Sequence, residues 1–199
     1  MERAEEILGY WFGASAEPWS VPADRMAIWF RGGPAVDDEI RRRFGSDVER
    51  AVAGVYDDWA AAPRGRLALV ILLDQFTRNI HRGTPAAFSG DPLALPLAIE
   101  ALETGVDREL RPVERPFLYL PLEHAEDARA QAASVESFRR LAYAAPVELR
   151  APYDAFLEYA IRHQVIVDRF GRFPHRNAIL GRVTTPEEAE FLKEPGSSF

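Results

Sequence analysis

GRLALVILLDQFTRNIHRG, residues 65–83, decides the fold. Its first half is apolar on nearly every side, which marks a helix buried at the centre of a helical protein. Leu67, Ile71, Asp74 and Arg78 share one face at the helical period. Asp74 therefore lies in the core-facing stripe, with Arg78 one turn on at the spacing of a helical ion pair. No segment alternates with period two, so no sheet is expected and the chain reads as all-α, with about eight to ten helices on short connections.

Working outward, Glu2 to Phe12 is a helix ended by Gly13, with Ala4, Ile7, Leu8 and Trp11 on one face. Pro22 opens a short helix through Phe30, and Arg31 to Pro34 is a break. A helix from Asp37 to about Ala61, bent near Gly45, has the apolar set Ile40, Phe44, Val48, Val52, Val55 and Trp59. Past the central stretch, Asp91 is a good N-cap and Pro92 a good first residue of a helix to Gly105. Prolines punctuate Arg111 to Leu122, and one long helix then runs to about Ala145, with His124, Ala128, Gln131, Val135 and Phe138 along one face. Pro152 to Phe170 is another long helix, its stripe holding Phe156, Tyr159, Ala160, His163, Ile166, Val167 and Phe170. Thr185-Pro186-Glu187-Glu188 is a capping box that starts a short helix to about Glu194. An extended tail follows, so residues 183–199 form a C-terminal cap on one helical domain spanning 1–199.

The bulk numbers narrow the function. Lys and Arg total 24 against 31 acids, a net charge of −7, which argues against sequence-independent nucleic-acid binding. There is no cysteine, so no disulfide framework, thiol nucleophile or cysteine-held metal. The opening MERAEEILGYWFG carries three acids and no long apolar run, unlike a signal peptide. No run is long enough for a membrane span. A cytoplasmic protein fits these features, and a homodimer is compatible with them.

Chemistry gathers in DRFGRFPHRNAILGR, residues 168–182, which mixes four arginines, a histidine, an asparagine and an aspartate with apolar residues. Two glycines and Pro174 make it a bent connector that carries charge to buried partners. Three more polar groups, Asp74, His124 and His163, sit on apolar stripes. Buried polar groups need partners, and the economical arrangement is that these partner one another. One internal polar site is therefore expected, with His124, His163 and Asp74 as catalytic candidates. Arg78, Asn79, Asp127, Arg172, His175, Arg176 and Asn177 are the ligand-binding candidates. Arginines supply paired donors for a carboxylate or phosphate, and a histidine beside an aspartate can act as general base or acid. That supports hydrolysis or transfer on a small anionic ligand. His124 and Asp127 do not form an HExxH motif, and no metal or cofactor is assigned.

Five long blocks carry a resemblance. They are GYWFG (Gly9–Gly13), the central stretch extended to Phe88, FLYLPLEHAED (Phe117–Asp127), RFGRFPHRNAILGR (Arg169–Arg182) and TPEEAEFLKEPGSSF (Thr185–Phe199). Together they resemble the bacterial family catalogued as domain of unknown function 924. The resemblance implies antiparallel helical hairpins stacked as a tetratricopeptide-like superhelix, and it brings no catalytic residues. At Trp29-Phe30 this chain continues with Arg31, Gly32, Gly33 and Pro34, where the family often has an acidic residue. The hairpin architecture raises an alternative: a scaffold binding a peptide or protein through an open groove, with Phe12, Trp19, Trp29 and Phe199 as its apolar patch. In a third reading the polar set only locks the helices together.

Overall fold

The computed structural model describes residues 2–14 and 17–198, with every side chain among them except that of Arg31. All regular structure among the described residues is helical. Helices α1 (Glu2–Phe12), α2 (Ala23–Met26) and α3 (Pro34–Val52) precede the central rod. The rod is α4 (Pro63–Val70), a wide π-type stretch (Ile71–Phe76) and α5 (Thr77–Ile80), without a break. Then follow α6 (Asp91–Thr104), α7 (Arg115–His124), α8 (Ala128–Ala144), α9 (Ala151–Phe170) and α10 (Pro186–Phe191). No helix among the described residues is long and apolar enough to cross a membrane.

The rod is buried as its sequence demands: Leu67 through Asp74 are all buried. It packs against α1, α3, α6 and α7, and α7, α8 and α9 pack in succession beyond it. One apolar cluster runs through these elements. At its heart Trp11 meets Phe76 at 5.4 Å and Phe117 at 5.5 Å, both edge-on, a geometry worth about 0.5–1.5 kcal/mol per pair beyond burial. Because the rod gathers four other elements, the packing is more than a chain of neighbouring hairpins. The tetratricopeptide-like superhelix is not confirmed.

Several local expectations are corrected. α3 passes straight through Gly45 and ends at Val52, because Gly54 turns the chain with φ +76°. Val52 and Val55 therefore lie exposed instead of in the core stripe. Asp91 is not an N-cap: Gly90 holds that position, and the Asp91 side chain turns to Arg78. The long helix to Ala145 is two helices. Ala125 leaves helical geometry after His124, and α8 starts only at Ala128, so His124 and Asp127 share no face. Tyr159 points to solvent, half exposed, despite its place in the α9 stripe. The described residues after α10 form mostly turns, with Ser197 buried and its hydroxyl donating to the Leu192 carbonyl. Phe12 is in the core, and Trp19 and Trp29 pack against it, so they form no exposed patch. Phe199, the fourth residue of that patch, lies outside the described residues.

Candidate functional site

The wide turn in the rod carries Asp74, which is completely buried. Such π-type turns are frequent at functional sites. Asp74 Oδ1 accepts the Nδ1–H of His124 at 2.7 Å and lies 3.0 Å from Arg78 Nη1. Arg78 also bridges to Asp91, 2.9 Å away, and Arg176 Nη1 approaches the other Asp91 oxygen at 3.7 Å. Gly90 makes the Arg78–Asp91 approach feasible. A Cβ there would sit 2.0 Å from the Leu73 carbonyl oxygen, so only glycine lets this turn lie against the rod.

The C-terminal end of α7 supplies Glu123 and His124. The carbonyls at and just beyond that end are held from α8: the Gln131 amide donates to the Glu123 carbonyl at 2.6 Å and to that of Ala125 at 2.8 Å. α9 brings His163, whose Nδ1–H donates to the Tyr159 carbonyl at 2.8 Å and lies 3.3 Å from Glu123 Oε1. The His124 and His163 rings are 6.2 Å apart. The connector closes the site with Phe173, 5.5 Å from the His163 ring, and with Arg176, held over Phe88 and Phe173. Arg176 Nε is buried without a protein acceptor. The His124 side chain is 15% exposed, so the cluster reaches solvent there.

Burial opposes ionisation of Asp74, but Arg78 and then His124 outweigh it and hold the carboxyl well below the usual range. The same burial pushes Glu123 up to about 8, reinforced by the Asp74 charge. It lowers His124 despite Asp74, and it lowers His163 to about 3 with His124 assisting. His175 drops to about 4 through burial and then Arg176. Arg176 itself falls to about 10 through burial and its neighbour Arg78, and stays a cation. At neutral pH the Asp74 carboxylate faces the Arg78 guanidinium, with the Arg176 cation beyond it, while Glu123 is a neutral acid and the histidines are neutral. With Asp74 ionised and His124 neutral, the ring proton sits on Nδ1, leaving Nε2 with its lone pair.

Asp74, Arg78, His124, His163 and Arg176 are thus brought together, and His175 lies beside them, 5.6 Å from the Phe173 ring. The other candidates are elsewhere. Asn79 donates to Asp37 at 2.7 Å. Asp127 caps α8, accepting from the amides of Arg129 and Ala130. Arg172 pairs with Glu188 at 2.6 Å, and Asn177 donates to the same carboxylate. Sequence reasoning missed two members, Glu123 and Asp91. Glu123 had a signal, an acid next to His124 at the end of an apolar run. Asp91 had one that pointed to capping.

The fold and the site can be set beside known proteins. The model of a family described as bacterial protein of unknown function, DUF924, matches residues 7–196. The chain belongs to this family. A solved structure of a protein of unknown function from Agrobacterium tumefaciens is similar, with 37% identity, 98% of each chain covered and a TM-score of 0.82. No curated protein matches.

In this DUF924 protein the cluster can do acid–base chemistry. An aspartate-oriented imidazole with a free Nε2 is a base, and a buried carboxyl still protonated at neutral pH is an acid. Two carboxyl groups whose environments push their proton affinities apart make such a division of roles. Arg176 adds a cation with an unused donor, suited to an oxyanion. Among the described residues no three acidic or histidine side chains are placed to hold a metal ion.

Proposed function

We propose that this protein binds a small anionic substrate at the Asp74–His124 cluster and hydrolyses it or transfers a group from it. His124 acts as general base through Nε2, Asp74 fixes its tautomer, and Arg176 takes the anion. The observation that carries this reading is the 2.7 Å Asp74–His124 contact beside a buried guanidinium nitrogen without an acceptor. A ligand oxyanion would satisfy that donor, which as a buried unsatisfied group otherwise costs about 1–3 kcal/mol. A cytoplasmic setting suits a chain with no cysteine.

A thermal-shift screen of phosphorylated metabolites, nucleotides and small carboxylates tests it. A ligand at a hundred times its dissociation constant stabilises the folded state by about 2.7 kcal/mol. For a domain of this size that is roughly 5–10 °C. The shift should vanish in Arg176→Gln and persist in His124→Gln, which keeps the guanidinium but loses turnover. A flat response across the panel, or a shift that survives Arg176→Gln, would sink the proposal.

A further inference from the structure

A second polar site lies at the opposite end of α7. Arg115 and Tyr119 on α7 face Arg108, from the turn after α6, and Arg140 on α8, around a cleft of about 270 Å³. Arg115 and His124 are nine residues apart on one helix, which is roughly 13 Å along its axis. The cleft is therefore separate from the buried cluster.

Its arginines are unlike most others in the chain. Arg3, Arg64, Arg78 and Arg82 each pair with a carboxylate. The side chain of Arg115 instead donates to two backbone carbonyls, those of Leu110 at 3.1 Å and Arg108 at 3.0 Å. Those bonds fix its position without neutralising it. Arg140 makes one long contact, 3.4 Å to the Ser137 hydroxyl, and the Arg108 side chain makes none among the described residues. Asp107 is the one acid in the cleft wall, and it is buried and turned to the Tyr119 hydroxyl, which donates to it at 2.7 Å. Three guanidiniums thus face one carboxylate, in a protein whose net charge is −7. Like charges that outnumber their counter-charges raise the potential of a concave site and draw an anion to it. Leu102, Leu141 and Ala144 line the rest of the wall.

We infer that this cleft binds a small organic oxyanion, its carboxylate or phosphate on Arg108, Arg115 and Arg140 and its short hydrocarbon part on Leu102, Leu141 and Ala144. The size suits a compact metabolite, since drug-sized ligands occupy pockets of about 300 Å³ and more. The inference does not depend on the chemistry proposed for the Asp74–His124 cluster.

Calorimetric titration of the full chain with hexanoate, hexyl phosphate and inorganic phosphate tests it, with backbone amide shifts locating the site. One of the two amphiphiles should bind at least tenfold more tightly than inorganic phosphate, and the tighter one identifies the head group. Shifts should concentrate at residues 102–119 and 137–144. The double variant Arg108→Ala/Arg140→Ala, on exposed side chains, should keep its circular dichroism and lose at least tenfold in affinity. Arg139→Ala, which removes a partner of Glu136 on the same helix, should bind normally. Absence of binding by every probe, unchanged affinity in the double variant, or inorganic phosphate binding as tightly as the amphiphiles would overturn the inference.

Discussion

Replacing Glu123 by glutamine should make the protein more stable, and increasingly so as the pH rises. Glu123 is buried, with its carboxyl pushed from an ordinary 4.5 up to about 8. In the unfolded chain the same group ionises freely above 4.5. Between those two values folding must take up a proton, so this group's contribution is intact at low pH and is lost as pH rises from about 4.5 through about 8. Summing over protonation states gives a penalty of about 0.8 kcal/mol at pH 5 and about 3.3 kcal/mol at pH 7. Glutamine keeps the shape and does not titrate. The stability difference between variant and parent should therefore move by about 2.5 kcal/mol in the variant's favour from pH 5 to pH 7. Urea unfolding of both proteins at the two pH values reads this directly, and every other titrating group cancels in the comparison. A difference that stays constant with pH would refute the reasoning. A difference of opposite sign would mean that Glu123 is ionised in the folded protein and paired with a protonated His163.

His163 gives the mirror case. Its lowered affinity for a proton, about 3 against 6.5, places its stability contribution above pH 6.5 and removes it as pH falls. Replacing it by glutamine should spare the protein about 3 kcal/mol of acid destabilisation between pH 7 and pH 4, read by the same urea titrations. Gly90→Ala should cost at least about 1–3 kcal/mol, because the new methyl would meet the Leu73 carbonyl oxygen; unchanged thermal unfolding would contradict the close packing there. Asp127→Ala should cost about 0.5–2 kcal/mol through loss of the α8 cap and leave any ligand response untouched; a lost response would return Asp127 to the site. Glu188→Ala should cost roughly 1–3 kcal/mol by stranding Arg172 and Asn177, and hydrogen exchange should then quicken across residues 172–191.

The all-helical fold and its central rod were legible because the rod's sequence has no polar face to offer solvent. The pairing of Asp74 with Arg78 followed from helical spacing. Its pairing with His124 followed from the need of buried polar groups for partners, which narrows the choice without setting distances. The errors came where tertiary contacts override local signals. Asp91 has every property of a cap, yet Arg78 claims it, and only the Gly90–Leu73 approach explains why. The break at residues 125–127 carried one local signal, Asp127, a residue type suited to the N-cap it forms. Gln131 reaches back to the carbonyls of Glu123 and Ala125 and holds the chain end there, an interaction that helical periodicity does not signal. Asn177 and Arg172 were grouped with the buried charges by their neighbours in sequence, but the Thr185 capping box supplies its own acid, Glu188, and takes both.

The buried cluster is drawn from segments far apart along the chain: 50 residues separate Asp74 from His124, and Arg182 reaches back 56 residues to grip Glu126. During synthesis the rod emerges long before the connector that supplies Phe173 and Arg176. A nascent chain therefore holds a rod whose one buried acid has its partner Arg78 but not yet His124 or the lid of the site. Contacts of such long range form late, since their loop-closure cost is met only after nearer packing exists. The Arg182–Glu126 pair, 2.6 Å apart, ties the connector back to the segment that follows α7. Until the last quarter of the chain arrives, the rod's buried acid lacks the cover that His163, Phe173 and Arg176 give the finished protein.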